Sequence, residues 1–196
     1  MQDGTQRFET AMARLDALHA EDPRRVEIDG ATIAHELLYA QRMSEWLARV
    51  APQASEALRL AVRAQHLQRW KIPRDDYSRD RPGYLMWRRD LGRRQAERAA
   101  QVLAEVGYDE VTRERVSGYI RKENLRRDED TQALEDTACL VFLHYYFADF
   151  ANQHDEDKLI RIVRKTWNKM SPRGHELAAT IPLAPEHQAL LERALA

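Results

Sequence analysis

A single cysteine, Cys139, among 196 residues excludes an internal disulfide and any cysteine-rich zinc site. Glycine and proline number only 7 each, too few for a collagen-like, linker-like or wholly disordered chain. Long apolar runs are missing as well. The best, Ala138 to Leu143, is six residues, against the roughly 20 that a membrane helix needs. The start, Met1-Gln2-Asp3-Gly4, lacks the basic-then-apolar character of a signal peptide, so a cytoplasmic protein is expected. Neither sign of charge is in excess. Lys+Arg is 31 against Asp+Glu 32, a net charge of −1, and no global field advertises a nucleic-acid or membrane partner. Gly-rich phosphate loops, Gly-x-Ser-x-Gly elbows and His-Glu-x-x-His pairs are also lacking.

What remains is a chain that is 43% hydrophobic and 32% charged, patterned throughout at the helical period. The length suits one sizeable domain, here residues 1–196. Helices are expected over 5–20, with Phe8, Met12, Leu15 and Leu18 on one face, and over 32–50, 53–70, 84–106 and 109–123. Further helices are expected over 131–154 and 155–170, with one or two more over 171–196. Val26 to Gly30 reads as a short, slightly extended connector. The helix over 131–154 holds the block Ala138-Cys139-Leu140-Val141-Phe142-Leu143 and is expected at the centre of the core, with Cys139 a buried, inert thiol. The expectation is one all-α domain of seven to nine helices.

Basic residues divide into 26 Arg and only 5 Lys. A genome-wide preference for Arg accounts for the total, but the distribution is uneven. Between Arg69 and Arg98 ten basic residues meet five acids, so this segment carries +5. Its loop, Lys71 to Pro82, is long for a compact domain, and such loops are more often functional than idle. Arg42, Arg69, Arg74, Arg81 and Arg88, with Trp70, Tyr77, Tyr84 and Trp87, form a candidate anion-binding set. Guanidinium forks pair with phosphate or carboxylate, and aromatic faces stack bases or guanidinium groups. The alternative is an Arg-aromatic lattice that only holds the loop. Lys165 in "KTWNKMSPRG" adds a further cation at a helix break.

Four polar residues fall where the helical pattern points inward: His35, His66, Glu135 and Asp136. A buried carboxylate needs a cation, a hydrogen-bond donor or a metal. The neighbours of Glu135 and Asp136 three and four residues away are not basic, so their partner must come from elsewhere, and a loop arginine beside His66 is expected. A structural ion pair is the competing reading of both carboxylates. The order His35, His66, Asp136 on helices resembles the His-Asp metal-dependent phosphohydrolases, although Leu67 stands where that family has its paired Asp. The resemblance implies a divalent metal ion held by His35, His66 and Asp136, with Asp136 and Glu135 as catalytic carboxylates. More extensively, "ELLYAQRMSEWL", "AQHLQRWKIPRDDYSRDRPGYLMWRRDL", "EDTACLVFL" and "KTWNKMSPRG" resemble a family of unknown function, domain of unknown function family 4202, over about residues 5–180. That resemblance implies a shared site including Glu36, His66, Arg69, Arg74, Arg88, Glu135 and Asp136, but no activity.

Two functional classes follow. One is a metal-dependent hydrolase acting on a phosphorylated small molecule or nucleotide, with arginines neutralising phosphate. The other is a non-catalytic nucleotide- or RNA-binding module using the same loop.

Overall fold

The computed structural model describes residues 2–195, with side chains from residue 4. Met1 and the expected end of the last helix at Ala196 lie outside the described residues. The chain runs α1 (Gln2–Ala20), a hairpin of β1 (Arg25–Ile28) and β2 (Ala31–Ala34), α2 (His35–Val50), α3 (Glu56–Arg63), α4 (Arg81–Glu105) and α5 (Glu110–Arg121). It continues with α6 (Glu129–Val141), α7 (Phe147–Ala151), α8 (Glu156–Trp167), α9 (Pro172–Ala178) and α10 (Pro185–Leu195). The fold is all-α, with ten described helices where seven to nine are expected from the sequence, and one two-stranded hairpin between α1 and α2.

Local chemistry sets most of the boundaries. Ser55, Asp80, Asp109, Asp128, Asp155 and Ser171 each accept the backbone N–H three residues on, capping α3, α4, α5, α6, α8 and α9. Each such cap contributes about 1 kcal/mol. The start of α2 is different. Its N-cap is Ala34, which has no side chain to offer, and the Glu36 amide is instead accepted by Asp22 Oδ2 at 3.1 Å. One carboxylate therefore ties the end of α1 to the beginning of α2.

The hairpin replaces the expected connector and shortens α2, which begins at His35 and not at Thr32. Its turn is Asp29-Gly30, both with positive φ (50° and 78°), the pair a tight hairpin turn favours. α3 also ends early, at Arg63. His66 and Gln68 then take left-handed φ of 63° and 52°, and 3-10 turns cover Arg69–Lys71 and Arg74–Asp76. Left-handed non-glycine residues are uncommon and cluster at functional sites. The segment closes on α4 at Gly83, where an added Cβ would come within 2.2 Å of the Ser78 carbonyl oxygen, so only glycine fits.

α6 packs against α2, α3, α5 and α9, and its buried Leu134, Leu140 and Val141 belong to one cluster reaching from α1 to α10. The expected helix over 131–154 is interrupted by a π-helical turn, Phe142–Tyr146. Such turns re-aim side chains and often stand at functional sites. A second, small cluster of Ile72, Trp87 and Leu91, with Tyr77 against it, holds the long loop to α4.

Candidate functional site

The segment between α1 and β1 and the start of α2 build a tight polar knot. Asp22 is fully buried and accepts from the Arg24 backbone N–H (3.0 Å), Arg24 Nε (3.1 Å) and Arg24 Nη2 (2.8 Å). The same Nη2 donates to Glu36 Oε1 at 2.6 Å, and Glu36 is 1% exposed. On its other oxygen Glu36 faces His66 Nδ1 at 3.3 Å, while His35 Nδ1 lies 3.8 Å from Oε1. Burial pushes the Glu36 carboxyl up, but His35, His66 and Arg24 outweigh it and hold the group far below its ordinary value.

His66 completes a chain. The left-handed backbone that ends α3 brings its ring flat against Tyr39, centroids 4.1 Å apart and planes 8° from parallel. Arg69 Nη1 donates to His66 Nε2 at 2.9 Å. A guanidinium can only donate, so Nε2 carries no hydrogen and the ring's hydrogen is on Nδ1, the nitrogen 3.3 Å from Glu36. His66 is thus neutral, in one tautomer, between a carboxylate and a guanidinium. Burial, then Arg69 and also Arg88 lower its pKa to about 3 against the attraction of Glu36. Arg69 sits 4.9 Å over the Trp87 ring, and its own pKa is lowered by burial and by Arg88. Trp87 is fixed by its Nε1–H bond to the Ile72 carbonyl oxygen.

These groups open onto a cleft of about 1580 Å³. Twelve Arg and Lys residues line it against three carboxylates, Glu36, Asp80 and Glu135. All three carboxylates are committed already: Glu36 as above, Asp80 as the cap of α4, and Glu135 to Lys122 and to Lys169 at 3.4 Å. Among the described residues Arg69, Arg74, Arg81, Arg88 and Lys165 have no carboxylate within ion-pair distance. A converging, uncompensated group of cations is unfavourable in an empty site and favourable around an anion.

The expected residues separate into two sets. His35, His66, Arg69, Arg74, Arg81, Tyr84, Arg88, Glu135 and Lys165 line the cleft together. Asp136 does not. It is 2% exposed and accepts from the Ser171 N–H at 2.8 Å, from Ser171 Oγ and from Gln132 Nε2 at 2.9 Å, anchoring the start of α9. Gly174 fits there because a Cβ would come within 2.9 Å of Asp136 Cγ. Glu135 is compensated by Lys122 and Lys169, not by a loop arginine as the sequence suggested. Burial pushes its carboxyl up, but the two ammoniums outweigh this and keep it below its ordinary value.

Other side chains of the loop are structural. Trp87 and Tyr77 hold the loop, the latter through its hydroxyl to Asp90 at 3.0 Å. Trp70 lies in the 3-10 turn outside the cleft lining, and Arg42 rests 4.1 Å over the Tyr145 ring. Sequence reasoning missed Asp22, Arg24, Lys122 and Lys169 as site-builders, and it placed Glu36 only through a resemblance.

The ligand set His35, His66 and Asp136 is therefore not assembled. Among the described residues Asp22, His35 and Glu36 come close enough together for a cation. Arg24 already occupies that place, donating to both carboxylates, and His66 Nδ1 faces the other Glu36 oxygen at 3.3 Å. The donor set does not fit a divalent metal without expelling a guanidinium.

The strings around the cleft carry the family likeness. A family model described as "Domain of unknown function (DUF4202)" matches residues 9–191. The chain belongs to that family. No curated protein and no solved structure matches it. Within this DUF4202 chain the cleft draws on Arg24 just before the hairpin, on α2, the loop into α4, α4, the end of α5, α6, the π-helical turn and α8, so most of the matched region contributes to one site. No described helix is long and apolar enough to cross a membrane.

Cys139 faces the cleft wall but is 6% exposed, and burial pushes its thiol pKa up to about 12. Almost no thiolate exists at neutral pH, so a thiol reagent should label the native protein far more slowly than the denatured chain. Equal rates would show the thiol to be open.

Proposed function

We propose that the cleft binds a phosphorylated small molecule of the nucleotide class, with Arg69, Arg81 and Arg88 clamping phosphate. The observation that carries this is Arg69: half-buried, without a carboxylate, within reach of the Arg88 charge, and held in place by His66 and Trp87. Such a cation is preorganised for an anion that comes from outside the chain. A small ligand is favoured over a long polyanion because the chain as a whole is −1 while the cleft is strongly positive. The remaining surface is net acidic and repels strands that run beyond the cleft.

A hydrolytic reading is supported by one feature, the Glu36–His66 dyad. Glu36 fixes the tautomer, and His66 Nε2 is freed for a proton once Arg69 turns to a phosphate oxygen. No metal enters either reading, since Arg24 serves the carboxylates. The test is calorimetric titration of untagged protein with 5′-AMP, with metal analysis and phosphate release measured on the same sample. Binding with a Kd below about 1 mM, weakened by salt and by at least about tenfold in Arg88→Ala, is expected. Phosphate release abolished in His66→Gln would add the hydrolytic step. Absence of binding, or stoichiometric metal lost on Glu36→Gln, would overturn the reading.

A further inference from the structure

We propose that the cleft has a second phosphate subsite, built on Glu135, so that its ligand is a nucleotide phosphorylated at two positions. This rests on the nucleotide reading above and goes beyond it in fixing the ligand's charge pattern.

The cations of the cleft fall into two groups that share no partner. One surrounds Glu36 through Arg24, His66 and Arg69. The other surrounds Glu135, where Lys122 and Lys169 both pair with a carboxylate only 5% exposed in its side chain. One carboxylate against two ammoniums leaves this second group positive, and Lys165, four residues before Lys169 in the lining of the same cleft and without a carboxylate partner, adds to the excess. Glu135 therefore acts as a buried anchor that fixes the stems of two lysines while their charge remains in excess.

Residue choice supports the division. The chain uses 26 Arg and 5 Lys, yet four of the five lysines, Lys122, Lys158, Lys165 and Lys169, line this one cleft. Where arginine is the usual cation, lysine gathered at one place marks a need for a compact charge on a flexible stem. Such charges serve a phosphate from several directions, whereas the arginine group offers planar forks.

The lining also includes apolar groups, Ile120, Phe142, Phe150 and Ile162, with Phe142 placed at the head of the π-helical turn. An aromatic and aliphatic surface suits the face of a nucleobase. The volume agrees. About 1580 Å³ exceeds the roughly 300–1,000 Å³ usual for a site that encloses one small ligand. A monophosphate held at Arg69 would leave the lysine group uncompensated.

The experiment compares 5′-AMP with adenosine 3′,5′-bisphosphate by calorimetry on the full chain at fixed ionic strength. The bisphosphate is expected to bind at least about tenfold more tightly, the equivalent of one further charged contact. Arg88→Ala should weaken both ligands, whereas Lys165→Glu should collapse the ratio of the two affinities towards one. Lys165 is exposed and unpaired, so that variant is expected to fold, and circular dichroism checks it. AMP binding without preference for the bisphosphate, or a preference unmoved by Lys165→Glu, would overturn the second subsite and leave the nucleotide reading standing. Failure of both ligands would overturn the nucleotide reading itself. A ten-nucleotide RNA binding more tightly than the bisphosphate would replace the two-phosphate ligand with a polynucleotide.

Discussion

Asp136→Ala is expected to lower the unfolding free energy by about 3 kcal/mol while leaving AMP binding by the folded protein intact. The carboxylate is 2% exposed and its oxygens take up the Ser171 N–H, the Ser171 hydroxyl and the Gln132 amide. Removing it strands a backbone donor at the start of α9, opens a small cavity against Gly174 and withdraws the acceptor that orients the Ser171 cap. Each buried donor left unpaired costs roughly 1–3 kcal/mol, more where the lost acceptor was charged. In a chain of this size the loss corresponds to a fall in Tm of about 6–12 °C. Chemical denaturation with parallel calorimetry separates stability from binding. A variant of wild-type stability that no longer binds AMP would return Asp136 to the functional site.

Asp136 also shows where sequence reasoning stopped. Burial of Glu135 and Asp136 was legible from the apolar block that follows them, and so was the absence of basic neighbours on their own helix. Helical periodicity says that a side chain points inward, but not which element receives it. Adjacent residues on a helix diverge by about 100°, and here one faces the cleft lysines while its neighbour faces Ser171. The caps were legible in principle, since Asp109, Asp128 and Asp155 precede their helices in plain view. The hairpin was not read, although Asp29-Gly30 is its usual turn signal. With the hairpin went Asp22 and Arg24, which reach Glu36 only because β1 and β2 fold back beside α2. The positive segment from Arg69 to Arg98 could be counted directly. Its convergence with Lys122, Lys165 and Lys169 could not, because those lysines are more than twenty residues away and belong to other elements.

His66 carries the second large effect, a loss of stability on acidification. Its folded pKa is about 3 against an ordinary 6.5, lowered by burial and by Arg69 and Arg88. A depressed pKa means that the unfolded chain binds the proton more readily. The stabilisation is complete above pH 6.5 and is lost as pH falls from there towards 3. Each pH unit in that window costs at most about 1.4 kcal/mol for such a group, and the ring's partial exposure reduces this. Between pH 7 and pH 4.5 a loss of about 2 kcal/mol from His66 is expected. Glu36, also held low, adds its own loss in the same direction, but only below its ordinary value of 4.5. His19, lowered by burial that outweighs its hydrogen bond to the Arg63 carbonyl, contributes a background that the test retains. His66→Gln keeps a neutral group able to donate to Glu36 and accept from Arg69, so it should flatten the profile above pH 4.5 without abolishing folding. Urea midpoints of both proteins at pH 7, 6, 5 and 4.5 measure this directly. Parallel profiles would show that His66 is not held neutral by the cations around it.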